Sequence, residues 1–257
     1  RAAGPGGMRS RYLPNLFFPA PDVNLAVFDI DGTLIRSVGL DDACFVRAFA
    51  DVLGIDGISS DWLRYTHQTD SGLTCEIIQR HLGRDQTAEE VELLLERCCQ
   101  LLRRAVARSG SMIWEVNGAA RLLAHLHGDP AWRAAIASGS WRETAQIKLG
   151  SAGIDLAGLP GAFADDSPDR GEILRMAIQR ANEHYATADF GKVVYFGDGV
   201  WDVRAAWQQG VAFVGVASAG DEASLWAAGA RTLIRDFSRI DAVLRCLEEA
   251  RVPGLSR

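Results

Sequence analysis

NLAVFDIDGT, residues 24–33, is the stretch that decides the fold. An apolar run with β-branched and aromatic side chains predicts a buried strand over residues 24–30. Asp31, Gly32 and Thr33 follow at once and predict a turn at the point where the strand ends. Because ligands bind at the carboxyl ends of parallel strands, acidic side chains in this place indicate a functional site.

Five further short apolar runs predict strands, and helix-length segments separate them. The predicted strands are residues 132–137, 161–164, 193–196, 211–216 and 232–234. The predicted helices are residues 141–150, 170–185, 201–209, 221–229 and 238–249. This alternation predicts an α/β fold of three layers, in which helices cover both faces of a parallel sheet.

One long segment breaks the alternation. Residues 37–112 show helical periodicity over 40–53, 73–82 and 87–108, and almost nothing in them suggests a buried strand. Thr87, followed by acidic residues, is the expected N-cap of the last helix. The predicted organisation is a tail over 1–23, a core of 24–36 and 113–257, and a helical insert over 37–112.

Composition narrows the classes of function. The chain has 257 residues, 48% of them hydrophobic, and a formal net charge of -6, which offers no general attraction to nucleic acid or to an anionic membrane. The chain contains no run of about 18 apolar residues, so no membrane span is predicted. The 5 cysteines are scattered and odd in number, so neither a zinc site nor a disulfide framework is indicated, and a cytoplasmic location is expected.

Polar residues follow four of the predicted strands and should meet at one edge of the sheet. They are Asp29, Asp31, Gly32 and Thr33; Ser138 and Gly139; Asp165, Asp166 and Arg170; and Gly197, Asp198, Gly199 and Asp202. A single aspartate after a strand is most often a turn former or a helix cap, and Asp165, Asp166 and Asp169 are interpreted in that way. The set as a whole is instead typical of phosphoryl transfer.

The residues suggest a role for each carboxylate. Asp29 is the predicted nucleophile, and Asp31 is the predicted general acid and base for the leaving alcohol and the attacking water. Mg²⁺, which prefers hard oxygen ligands, would be held by the Asp29 carboxylate, the Asp31 carbonyl and the Asp198 carboxylate. Asp202 lies one helical turn after Asp198 and suits a supporting role behind the metal ligands.

Phosphate oxygens need hydrogen-bond donors and positive charge. The predicted donors are the Ser138 side chain and the amides of Gly32, Thr33 and Gly139. Arg170 is the predicted cation that neutralises charge in the transition state.

Four motifs together resemble the haloacid dehalogenase-like hydrolase superfamily. They are FDIDGTL at 28–34, IASGS at 136–140, Arg170, and FGDGVWD at 196–202. The resemblance implies a Rossmann-like core with a mobile helical cap inserted after the first motif. An acidic residue at Asp31 points to a phosphatase rather than a dehalogenase, and the overall look is closest to phosphoglycolate phosphatase-like members.

The third motif of this family is usually a lysine, so its assignment here is open. Arg170 begins a helix and can fork to two oxygens. Lys148, ten residues after Ser138, is the second choice, whereas Lys192 begins a strand and would lie at the wrong end of the sheet.

Other interpretations stay open at this point. Residues 67–70, between two predicted helices, are interpreted as a solvated loop, with substrate contacts as the alternative. Tryptophans are more often core or interface residues than substrate platforms, although Trp201 lies between the two acids of the last motif. The sequence therefore predicts a Mg²⁺-dependent phosphatase for a small phosphorylated metabolite. A phosphomutase and a catalytically idle ligand-binding relative are the alternatives.

Overall fold

The computed structural model describes residues 23–37, 39–109, 112–218 and 220–254. The predicted tail, apart from Val23, lies outside these residues. The described strands are β1 Asn24–Phe28, β2 Ile35–Ser37, β3 Ile113–Glu115, β4 Trp132–Ala137, β5 Gly161–Ala162, β6 Val193–Gly197, β7 Ala212–Val216 and β8 Leu233–Ile234. The described helices are α1 Leu40–Leu53, α2 Asp70–Leu82, α3 Ala88–Ser109, α4 Ala119–Gly128, α5 Arg142–Ser151, α6 Arg170–His184, α7 Val200–Gln208, α8 Glu222–Ala227 and α9 Ile240–Glu249.

Six strands form a parallel sheet in the order β5-β4-β1-β6-β7-β8. The chain runs outward from β1 through β4 to β5, then returns and builds the other half from β6. The strand order therefore switches direction beside β1, and ligands bind in the crevice at such a point. The α/β fold with a parallel sheet is as the sequence predicts.

Apolar side chains of the sheet alternate between two buried faces. On one face, Phe28 stacks on Phe196 at 4.8 Å between ring centroids, in a cluster that also contains Phe237. On the other face, Val27 and Tyr195 pack against helices α6 and α7. With helices over both faces, β1 is fully buried from Leu25 to Phe28, so the end of the strand that leads into the site is packed on all sides.

Helices α1, α2 and α3 occupy the segment that the sequence sets apart, and together they are called the helical segment here. β2 leads into it and β3 leads out, and these two strands pair antiparallel from Ile35–Glu115 to Ser37–Ile113. The helical segment has an apolar cluster of its own, which includes Trp141 and Ala164 from the core. Its division from the core at residues 37 and 112 stays a prediction.

Several features differ from the sequence-based expectations: β2 and β3 were not predicted, and β5 is two residues long where four were expected. Three further differences have a clear local cause or bear on the site. β1 ends at Phe28, so Asp29 already belongs to the turn. α2 begins at Asp70 rather than at residue 73, because the Thr69 side chain accepts a hydrogen bond from the Gly72 amide and caps the helix. α4 was not predicted, since its single apolar stripe is only ten residues long.

No helix among the described residues is long and apolar enough to span a membrane.

Candidate active site

A cavity of about 440 Å³ lies at the carboxyl ends of the central strands, between the sheet and the helical segment. Most of the predicted site residues line it: Asp29, Asp31, Gly32, Ser138, Gly139, Arg170 and Asp198. Thr33 and Asp202 are fully buried behind the cavity wall. The structure thus brings together the strand ends that the sequence predicts to converge.

Asp29, Arg170, Asp198 and Asp202 form what we call the Asp29 cluster. Arg170 Nη2 lies 2.8 Å from Asp29 Oδ1 and 2.8 Å from Asp202 Oδ1. Arg170 is the first residue of α6, and Asp169 caps that helix by accepting a hydrogen bond from the Glu172 amide. The cap fixes the helix start and thereby directs the Arg170 side chain towards Asp29.

Asp202 is held from three directions. Its Oδ1 accepts hydrogen bonds from Arg170 Nε and from the Tyr195 hydroxyl, both at 2.8 Å. Its Oδ2 accepts one from the Gly199 amide at 3.0 Å. Tyr195 lies in the apolar run of β6, where nothing in the sequence distinguishes it from a core residue. With both oxygens engaged, Asp202 is arranged to orient Arg170, which fits the predicted supporting role.

Negative charge is crowded at the cavity floor. Burial raises the pKa of Asp29 to about 8 even though Arg170 opposes the shift, and the nearby Asp202 adds to it. Burial and then the Asp29 carboxylate raise the pKa of Asp198 well above its usual range. One oxygen each from Asp29, Asp198 and Asp202 lies within 4.8 Å of the others. Hard oxygens whose charge is uncompensated suit Mg²⁺, so the donor set fits the predicted ion.

Two glycines are required by the close approach of side chains. Gly32 has φ 77°, and a Cβ there would overlap the Asp198 carboxylate. A Cβ on Gly139 would overlap the Arg170 guanidinium. Both motifs therefore need glycine to bring charged side chains against the backbone.

The amides in the turn after β1 already donate hydrogen bonds to nearby backbone carbonyls. Gly32 N donates to the Ile35 carbonyl at 2.8 Å, and Thr33 N donates to the Ile30 carbonyl at 3.2 Å. The predicted donation from these two amides to phosphate would require both bonds to open. A backbone hydrogen bond at Ile30 instead stabilises the ionised Asp29 carboxylate. Ser138, whose Oγ accepts from the Ser140 amide at 3.2 Å, lines the cavity as expected.

A second set of charges surrounds Lys148, and we call Asp31, Asp41, Ser140 and Lys148 the Lys148 cluster. Lys148 Nζ lies 2.6 Å from Asp31 Oδ2, 2.5 Å from Asp41 Oδ2 and 2.9 Å from Ser140 Oγ. Ser140 Oγ also donates to Asp31 Oδ2 at 2.8 Å. Burial opposes the charge on Lys148, but Asp31 and Asp41 outweigh it and raise the lysine pKa. Burial raises the pKa of Asp41 to about 6.

These contacts distinguish Arg170 from Lys148, the two candidates that the sequence offered for the basic third motif. Arg170 contacts the predicted nucleophile, whereas Lys148 contacts the predicted acid and base. Lys192 contacts the Glu248 carbonyl away from the site. Asp41 and Ser140 were missed by sequence reasoning, because each lies beside a helix start where a polar residue is ordinary. Only a fold model that packs α1 against the core could have found them.

The interpretation of residues 67–70 as a solvated loop is wrong for its second half. Thr69 is 1% exposed and donates to the Pro168 carbonyl at 2.8 Å. Asp70 N donates to the Gly139 carbonyl at 2.7 Å, and Asp70 Oδ2 accepts from the Trp141 amide at 2.8 Å. The start of α2 is therefore hydrogen-bonded to the loop that carries Ser138. Gln68 also lines the cavity.

The outer wall of the cavity is aromatic and acidic. Trp62, Trp114 and Trp201 line it, and Trp62 Nε1 donates to Asp42 Oδ1 at 2.9 Å. Asp165, Asp166 and Asp169 are loop and capping residues, as interpreted from the sequence: they accept from the amides of Arg142, Phe163 and Glu172 respectively. Four tryptophans thus line the cavity, Trp62, Trp114, Trp141 and Trp201, and of these the sequence singled out Trp201 alone.

Comparison with known proteins agrees with this geometry. The family model of haloacid dehalogenase-like hydrolases matches residues 26–206. The crystal structure of a hydrolase from Pseudomonas syringae is similar, with 26% identity and a TM-score of 0.65 over 86% of this chain and 97% of that chain. No curated protein matches the sequence significantly.

Two further structures show the same fold. CbbY from Rhodobacter sphaeroides, solved in complex with phosphate, has 19% identity and a TM-score of 0.60 over 85% of this chain and 96% of its own. A predicted phosphoglycolate phosphatase from Haemophilus somnus has 16% identity and a TM-score of 0.58 over 86% and 98%.

Proposed function

Since the chain belongs to the haloacid dehalogenase-like hydrolase family, we propose that it hydrolyses a small phosphomonoester through a phospho-Asp29 intermediate, with Mg²⁺ bound. One observation carries the proposal. Asp29 and Asp31 lie at one cavity, and each contacts a different buried cation, Arg170 and Lys148 respectively. Separate environments for two neighbouring carboxylates favour separate roles as nucleophile and as acid and base.

The first half-reaction transfers the phosphoryl group to the protein. An Asp29 oxygen attacks phosphorus while the bond to the leaving oxygen breaks, and Asp31 donates its proton to that oxygen. Arg170, fixed by Asp202, is placed to neutralise the negative charge that grows on the phosphoryl oxygens. The products of this step are the free alcohol and phospho-Asp29.

The second half-reaction returns the protein to its starting state. Asp31 takes a proton from water, whose oxygen attacks phosphorus and releases inorganic phosphate from Asp29. Mg²⁺, held by Asp29, Asp198 and the Asp31 carbonyl, would supply positive charge to the phosphate and keep Asp29 ionised at neutral pH. The size of the cavity, about 440 Å³, favours a small organic part on the substrate.

Phosphate release from a panel of phosphomonoesters, with and without Mg²⁺, tests the proposal. We expect metal-dependent release that Asp29→Asn abolishes and that Asp155→Asn, a matched change at an exposed aspartate, leaves intact. Release that persists in Asp29→Asn would contradict the nucleophile, and release from no compound would contradict the phosphatase. Isomerised product without phosphate would favour the phosphomutase.

A further inference from the structure

We propose that Lys148 is a positioning residue, which orients the acid and base Asp31 and ties that orientation to the docking of the helical segment through Asp41. The inference rests on the proposed function, since it assigns a helper to one of its two carboxylates. It concerns a residue of the core helix α5, outside the four motifs that suggested the family.

All three ammonium hydrogens of Lys148 have acceptors within the protein. An ammonium group has three hydrogens, and Lys148 Nζ has three acceptors: Asp31 Oδ2, Asp41 Oδ2 and Ser140 Oγ, at 2.5–2.9 Å. Its side chain is only 1% exposed. Lys148 therefore has no donor left for a phosphate, and its effect on the reaction must pass through the carboxylates that it contacts.

The two oxygens of Asp31 are treated differently. Oδ2 accepts from both Lys148 and Ser140. Oδ1 is buried and has no hydrogen-bond partner among the described residues. Oδ2 is therefore the oxygen through which the protein holds the carboxyl group in one orientation. Without Lys148 only Ser140 would hold Oδ2, so the group could rotate more easily about its terminal torsion.

Asp41 makes this arrangement depend on the helical segment. Asp31, Ser140 and Lys148 belong to the core, whereas Asp41 lies in the first turn of α1. A buried cation needs its counter-charges, and removing one partner of such a pair is costly. Movement of α1 away from the core would take Asp41 from Lys148, so the position of Asp31 is coupled to docking.

Lys148 would be equally buried if its ion pairs only stabilised the fold. The way in which activity depends on the leaving group of the substrate distinguishes this structural role from the positioning role. A p-nitrophenolate leaves with little help from an acid, whereas an alkyl alcohol needs a proton. The value of kcat/KM covers the steps up to release of the alcohol. A residue that acts through Asp31 must therefore affect alkyl substrates more than p-nitrophenyl phosphate.

The test compares kcat/KM for the best alkyl phosphate of the panel with that for p-nitrophenyl phosphate. For Lys148→Met we expect the alkyl-to-aryl ratio to fall by about 10²-fold, the size of a general-acid contribution. Thr87→Ala is the matched control: Thr87 Oγ1 caps α3 by accepting from the Glu90 amide at 3.2 Å, a contact within the helical segment that involves neither Asp31 nor the core. It should leave the ratio unchanged.

Two more variants keep the test open if Lys148→Met does not fold. The double variant Asp41→Asn with Lys148→Met preserves the net charge of the cluster and should show the same fall in the ratio. Ser140→Ala removes the weaker donor to Asp31 Oδ2 and should show a smaller fall in the same direction. Equal losses on both substrates in the variants that fold would overturn the proposal. Absence of phosphatase activity in the wild type would instead contradict the proposed function itself.

Discussion

The Asp29 cluster and the Lys148 cluster lie side by side but are assembled differently. All members of the first come from the core: the turn after β1, the start of α6 and the chain from β6 into α7. The second needs Asp41 from α1 of the helical segment. The Asp29 cluster therefore takes no residue from the helical segment, whereas the Lys148 cluster is complete only when that segment is docked.

The largest expected effect comes from breaking the Asp29 cluster at Arg170. Arg170→Met leaves three neighbouring carboxylates without a cation, so the free energy of unfolding should fall by about 3–5 kcal/mol. Activity should fall at least about 10²-fold because charge on the phosphoryl group is no longer neutralised. Urea denaturation and kcat measure the two effects. Arg170→Lys, which keeps the charge, should restore part of each; no restoration would contradict the electrostatic explanation.

The side chains that bind the metal should all belong to the Asp29 cluster, with Asp31 contributing only its backbone carbonyl. Saturating Mg²⁺ should raise the melting temperature of the wild type, since a ligand at 100 times its Kd stabilises by about 2.7 kcal/mol. Asp198→Asn should abolish that rise, while the metal-free variant should be at least as stable as the wild type because one buried repulsion is gone. Asp41→Asn, an equivalent change in the Lys148 cluster, should keep the rise. The melting temperatures with and without Mg²⁺ test this prediction. If Asp41→Asn also showed no rise in melting temperature, metal binding would depend on both clusters.

Docking of α2 should depend on pH through Asp70. Burial raises the pKa of Asp70 from 3.8 to about 7, so the folded state binds this proton more tightly than the unfolded state does. The contribution to stability is full below about pH 4 and falls as pH rises to about 7, by about 4 kcal/mol in total at about 1.4 kcal/mol for each pKa unit. Asp70→Asn should flatten this part of the profile of unfolding free energy against pH.

Asp166 provides the opposite sign as a control for the pH series. Its hydrogen bond with Arg180 holds the Asp166 pKa below 3.8, so its contribution is present at neutral pH and lost as the solution is acidified. Asp166→Asn should therefore lower stability at neutral pH and flatten the acid limb of the profile, without changing the slope between pH 4 and 7. A profile that Asp70→Asn leaves unchanged between pH 4 and 7 would show that Asp70 is ionised when docked.

The smallest effect concerns the cap of α2. Thr69→Ala and Thr87→Ala each remove a helix N-cap and should each cost about 1 kcal/mol of stability. Only Thr69 also donates to the core, at the Pro168 carbonyl. We expect Thr69→Ala to raise KM a few-fold and Thr87→Ala to leave it unchanged, as measured with the best substrate of the panel. Equal KM values in the two variants would show that the docking of α2 does not affect substrate binding.

The Asp29 cluster was predictable from sequence because its members are marked locally. Asp29 and Asp198 each follow a buried apolar run, and Arg170 begins a helix, so the rule for parallel sheets places them together. β4 was predicted in full at residues 132–137, because its apolar run is continuous. α4, whose signal is weak, was not predicted, and neither was the early start of α2, because capping by Thr69 depends on a neighbouring loop.

Asp31 and Lys148 were candidates from the sequence, but the pairing of Lys148 with Asp41 was beyond sequence reasoning for a physical reason. Asp41 and Lys148 are 107 residues apart, and each lies on a helix where a charged residue is usually solvated. Their pairing is decided by how α1 packs on the core, which no local pattern contains. Asp70, which accepts a hydrogen bond from the Trp141 amide, was misjudged for the same reason.

The short antiparallel pair of β2 and β3 has a consequence for the history of such proteins. Because Ser37 lies opposite Ile113, the chain leaves the core and returns to it at almost the same point. A segment joined in this way adds little loop-closure entropy to the core, however long it is. Insertions at this position can be lengthened, shortened or exchanged while the sheet keeps its register. New substrate preferences can thus arise by replacement of one segment, with the catalytic floor inherited unchanged.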